Sequence, residues 1–151
     1  MEITATNFNL WELVDQISKQ RPLSRQSAEQ IFHVNLTQSD SSNRYFTFWN
    51  GDGGILKDKT RVSRILLGLP NSENGSGATL TLKLADACHT LPEVRARYGD
   101  PALVGVPSGQ SEDEETTYKV KLAWGSLTFG FSERRPTCVA SVGIAINPAS
   151  E

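Results

Sequence analysis

The chain has two histidines, His33 and His89, 56 residues apart and outside any H-E-x-x-H or H-x₃-H spacing, so no pair of imidazoles is set to share a metal. Gly105-Val106-Pro107-Ser108-Gly109 lacks the G-x-S-x-G spacing that raises a serine hydroxyl on a strained strand-to-helix elbow, and its proline suits a loop. Asn50-Gly51-Asp52-Gly53-Gly54 begins like a calcium loop. Ile55 then stands where the sharp turn needs glycine, and Arg61 where a bidentate glutamate belongs, so the segment reads as a turn. No G-x-x-x-x-G-K-[ST] cradles a phosphate, and no G-x-G-x-x-G opens a helix. These spacings predict a protein that is not an enzyme and that needs neither a metal nor another cofactor.

Cys88 and Cys138, with 49 residues between them, form no C-x-x-C pair and sit in no motif that would supply an activating base. Two buried free thiols and a single disulfide both fit this spacing. The densest charge is the run Glu112-Asp113-Glu114-Glu115. It is either a hydrated loop tip or an arm whose potential complements a basic cleft on a partner. Carboxylates doing acid–base work would need burial to separate their pKa values, and so hydrophilic a segment does not supply it.

These residues have to be held by elements, and 151 residues of 16.6 kDa suffice for one domain with a core of its own. Leu10, Leu13, Val14 and Ile17 recur at helical spacing and predict a first helix over Leu10 to Lys19. Ser24 as N-cap with Ala28, Ile31 and Phe32 predicts a second. Arg25 alone is too little basic charge for a DNA-reading helix. The period then falls to two. Phe32, Val34 and Leu36 form one expected strand, Arg44 to Trp49 the next, then Thr60 to Leu67 and Ala78 to Leu84. In the aromatic strand Phe46 and Phe48 are expected to face the core, which leaves Tyr45, Thr47 and Trp49 on the open surface with Lys119 and Lys121.

At Thr90-Leu91-Pro92-Glu93 a capping box opens a third helix, which Gly99 and Pro101 close. Ala102 to Val106, Tyr118 to Trp124, Leu127 to Phe131 and Cys138 to Ile146 follow as strands, with Gly125-Ser126 as a turn. Cys138, Ala140, Val142, Ile144 and Ile146 are the expected inner face of the last one. The order helix then four strands therefore occurs twice. The expected fold is α+β in two layers, with tandem helix-plus-four-strand repeats whose helices pack on one face of an antiparallel sheet of about eight strands. A single domain over 1–151, divided into repeats 1–84 and 85–151, follows.

The stretch Leu91-Pro92-Glu93-Val94-Arg95-Ala96-Arg97-Tyr98-Gly99-Asp100-Pro101 resembles the helix-then-Gly-x-Pro signature of β-lactamase-inhibitor proteins and of the small lipoproteins of outer-membrane assembly. The run Tyr118 to Ile146 is similar to their sheet. The resemblance implies a tandem repeat of helical hairpin plus four strands and a protein partner. The inhibitor family carries a disulfide in each repeat, whereas both cysteines of this chain fall in the second half.

With a net charge of −2 and a pI near 5.7, no overall basic field draws the chain to nucleic acid. No apolar run approaches the roughly 20 residues of a membrane span. The expectation is a non-enzymatic inhibitor or immunity protein that binds and blocks a bacterial enzyme or toxin. Tyr45, Trp49, Lys119, Lys121, Glu112, Asp113, Glu114 and Glu115 are its candidate contacts. A cell-envelope scaffold and a small enzyme or ligand-binding domain are the alternatives. Met1 to Asn9 lack the cationic start and apolar stretch of a secretory leader, which points to the cytoplasm, or to the periplasm if a leader has been replaced.

Overall fold

Each helix starts where a side chain can take up its first free N–H groups. In the computed structural model, which describes residues 5–20, 23–71 and 77–147, Asn9 caps α1 (Leu10–Ser18), Ser24 caps α2 (Arg25–Phe32) and Thr90 caps α3 (Leu91–Tyr98). All three are reciprocal capping boxes, so two orphan donors are satisfied at each start. A short 3₁₀ turn, Ala5–Asn7, precedes α1. Among the described residues no helix is long and apolar enough to cross a membrane.

The strands are β1 (Thr37–Gln38), β2 (Phe46–Gly51), β3 (Gly54–Ile55), β4 (Arg61–Pro70), β5 (Thr79–Ala85), β6 (Ala102–Gly105), β7 (Glu115–Leu122), β8 (Gly125–Ser132) and β9 (Val139–Ile146). They form one antiparallel sheet in the order β1-β2-β4-β5-β9-β8-β7-β6, with β3 paired to β4 off that path. The α+β class and the antiparallel sheet are as the sequence predicts. The ninth strand is the small β3: of the expected turn Asn50 to Gly54, Asn50 and Gly51 extend β2, Gly54 opens β3, and only Asp52 and Gly53 connect them, with the Asp52 side chain accepting the Gly54 N–H.

One hydrophobic cluster draws on both halves of the chain. Leu10, Leu13, Val14 and Ile17 of α1, Ile31 and Phe32 of α2 and Val94 of α3 are buried with Ile65, Leu67, Leu80, Leu82, Leu127, Phe129, Val142 and Ile144 of the sheet. Each aliphatic side chain buried in this way contributes roughly 1.5–3 kcal/mol. Trp11 meets His89, Tyr98 and Phe129 edge-on, with ring centroids 5.5 to 6.0 Å apart.

Four local expectations change. Phe32 ends α2 instead of starting a strand, because it completes that helix's buried stripe and His33 then turns left-handed at φ 54°. The turn between β7 and β8 is Ala123-Trp124, and Gly125 already pairs with Leu122. A bulge shifts the register between Gly130 and Phe131, so Phe131 pairs with Val139 and Val139, not Ala140, is buried.

The fourth change inverts the aromatic strand. Trp49 lies opposite the fully buried Leu67 and packs against the core, while Phe46 and Phe48 lie opposite Pro70 and Gly68 on the other face. Aromatics at 45, 46, 48 and 49 offer both faces a stripe, so β4 decides between them. A Cβ at Gly68 would come within 2.8 Å of the Phe48 ring, so the bare glycine is what admits that ring. Cys88 and Cys138 are bridged, which resolves the two states their spacing leaves open.

Candidate functional site

Because the buried residues of β4, β5, β7, β8 and β9 point one way, their alternates form an outward face whose make-up follows from the register. Across its middle, Leu66 pairs with Thr81, Thr81 with Gly143, Gly143 with Thr128 and Thr128 with Lys119. One row further, Phe48 pairs with Gly68, Gly68 with Thr79, Thr79 with Ala145, Ala145 with Ser126 and Ser126 with Lys121. Between Leu66 and the lysines the floor is thus made of threonine, serine, glycine and alanine. The stacked pair Phe46 and Phe48, with centroids 6.0 Å apart, lies at one end, and Lys119 and Lys121 lie at the other. Most of these residues are partly exposed.

The residues singled out by sequence divide in this setting. Lys119 and Lys121 belong to the outward face, because their neighbour Val120 is buried. Tyr45 is 55% exposed just before β2, with the Arg44 guanidinium 5.0 Å from its ring. Trp49 is withdrawn from that surface, and Arg25 of α2 sits 4.2 Å above its ring. The acidic run is tied down by its own chain. Glu112 and Asp113 both pair with Arg134, at 3.2 and 3.3 Å. Glu114 accepts the Ser108 hydroxyl at 2.8 Å and the Gln110 N–H at 3.0 Å, which folds the 107–114 loop around it. The Ser108 N–H, which also donates to this carboxylate, holds the Glu114 carboxyl below its usual range together with these two bonds. Glu115 accepts the Ser141 hydroxyl at 2.8 Å and lies 3.9 Å from Lys83.

A polar cluster around the buried Thr60 and His89 adds contacts that sequence spacing does not single out. His89 receives or donates at both ring nitrogens, Nε2 at 2.8 Å from the Thr60 hydroxyl and Nδ1 at 2.9 Å from Glu93 Oε1. Asp58 Oδ2 lies 3.5 Å from Nε2 and also accepts the Leu10 N–H, while Trp11 Nε1 donates to Glu93 at 2.8 Å. Burial pushes the Asp58 and Glu93 carboxyls up. For Asp58 the bonds from Thr60 and from the Leu10 N–H outweigh burial, and for Glu93 the bonds from His89 and Trp11 do. Both carboxyls therefore lie below their ordinary values.

With both ring nitrogens engaged and a side chain only 10% exposed, His89 fastens α1, α3 and the approach to β4 together. The capping box names Glu93 in the sequence and His89 is its i−4 neighbour, but Trp11, which donates to Glu93, and Asp58 and Thr60, which meet the far side of the imidazole, come from segments that only the fold joins. Beside it, Thr90, Leu91, Pro92, Tyr118, Phe131 and Thr137 line a groove of about 440 Å³. Among the described residues no group of three or more His, Cys, Asp or Glu could hold a metal ion. Comparison with known protein families, with curated proteins and with solved structures finds no match for this chain.

Proposed function

We propose that this chain is a non-enzymatic binding protein that blocks a bacterial enzyme or toxin by docking the outward sheet face against it. The observation that carries the reading is the face itself. It is a broad floor of short side chains across β4, β5, β9 and β8, with Phe46 and Phe48 as an apolar end and Lys119 and Lys121 as a charged one. Short side chains let a partner's backbone approach closely, and aromatic anchors concentrate affinity in a few contacts.

The strand order supports the finer architecture. Strands β1-β2-β4-β5 and β9-β8-β7-β6 are two runs that meet through their last strands, β5 and β9. This is the arrangement expected of two copies of one helix-plus-four-strand unit with helices over a shared face, and fusing the sheets doubles the outward floor. The Cys88–Cys138 disulfide favours an oxidising compartment such as the periplasm.

To test the reading, the immobilised chain is used to capture proteins from a bacterial extract, and each captured enzyme or toxin is assayed with and without the chain. At least one should lose activity. Phe48→Ala should weaken that complex by about 2 kcal/mol, and Thr81→Trp, which raises bulk in the middle of the floor, should weaken it further. Trp49→Ala should leave affinity unchanged and lower stability by about 2 kcal/mol, because its ring packs inward. Inhibition that survives both Phe48→Ala and Thr81→Trp, or no inhibited activity at all, defeats the reading.

A further inference from the structure

Charge in this protein is segregated. The sheet strands contain Arg61, Arg64, Lys83, Lys119 and Lys121 and one carboxylate, Glu115, a net +4 inside a chain of net −2. Arg61 and Arg64 flank the buried Val62 and Ile65 on either side of the Ser63 bulge, Lys83 follows the buried Leu82, Lys119 and Lys121 flank the buried Val120, and Glu115 keeps the alternation of Lys119, so all six share the outward face. Among the described residues, Arg61, Arg64, Lys119 and Lys121 have no carboxylate within ion-pair distance, and the only neighbour of that kind for Lys83 is Glu115, at 3.9 Å.

Two of the cations are placed against folding. Arg64 and Lys83 are direct partners in the β4–β5 ladder. Like charges opposite each other across strands destabilise a sheet. Folding gains nothing from this pair, whereas an incoming anionic surface would meet both cations at once.

From this segregation we infer that the partner presents an acidic protein surface, whose carboxylates settle over Arg64, Lys83 and Lys119. The inference rests on the docking role proposed above for the same face. Glu115 is fixed among the cations by the Ser141 hydroxyl and Lys83. A carboxylate held there repels a continuous phosphate backbone but fits a protein surface of mixed charge, so the geometry favours protein over nucleic acid. Such complementarity raises the association rate and makes it fall with salt.

The test uses the whole chain and two probes of known chemistry, poly-L-glutamate and single-stranded oligothymidylate, with backbone amide shifts read by NMR at low salt. Poly-L-glutamate should shift the amides of Arg64, Lys83 and Lys119 in a saturable way. The shifts should vanish in about 1 M salt, where the screening length is about 3 Å. The double variant Arg64→Glu, Lys119→Glu should bind the probe at least about tenfold more weakly. Its fold is not at risk, because Arg64→Glu replaces a like-charge pair across the ladder with a carboxylate facing Lys83.

Absence of shifts on these strands overturns the inference, and so does tighter binding of the oligothymidylate to the same face. If the double variant still blocks the captured enzyme while Thr81→Trp does not, the docking face stands and its acidic partner falls. If neither variant alters inhibition, both fall.

Discussion

His89 is held on two sides by carboxylates and on a third by a hydroxyl, so its neighbourhood senses acid. Asp58 and Glu93 have folded values below their ordinary 3.8 and 4.5. A carboxylate lowered by folding adds stability above its unfolded value and loses that contribution as the pH falls through the folded one. The cluster should therefore contribute fully above about pH 4.5 and fade below it. Glu93→Gln, which can still cap α3, should lower the urea midpoint at neutral pH, and its gap from the parent chain should narrow as the pH drops below about 4.5. A gap that stays constant with pH would reduce Glu93 to a helix cap. This cluster was only half legible in the sequence. The capping box announces Glu93 and His89 precedes it by four residues, while Trp11 reaches Glu93, and Asp58 and Thr60 reach His89, only through the fold. Trp49 shows a different limit: alternation assigns a face only when one face is apolar, and in this strand both are.

At the scale of elements, α3 and β9 are joined twice at their starts. The Cys88–Cys138 disulfide is one tie and the Val139 N–H donating to the His89 carbonyl at 2.7 Å is the other. The disulfide closes a loop of 50 residues. By chain entropy such a closure contributes about 4 kcal/mol. Cys88 is exposed, so a reductant can reach the bond in the folded protein. Urea unfolding with and without reductant should differ by about that amount, and equal midpoints would mean that the tie constrains nothing. Helix starts were readable because each is written in a few consecutive residues. The bulges were not, since Ser63 and Ala140 look like ordinary strand residues. Their displacement appears only against a partner strand, when Arg64 and not Ser63 pairs with Lys83.

For the whole molecule the decisive contact is the pairing of β5 with β9, which sets Leu80 against Ile144 and Leu82 against Val142. All four are essentially buried. Segments 1–84 and 85–151, made separately, would each expose half of this seam and keep only a thin core. Neither should show a cooperative melt by circular dichroism, whereas a cooperative melt from either alone would mean two independent domains. The helices and most of the strands were legible in the alternating periods, but the sequence does not say which strands become neighbours, and that pairing creates the floor. Thr79, Thr81, Thr128, Gly143 and Ala145 have almost no rotamers to surrender. In the proposed docking, a partner landing on them has few side-chain rotamers to order, so the entropic penalty falls mainly on the long arms of Lys83 and Lys119.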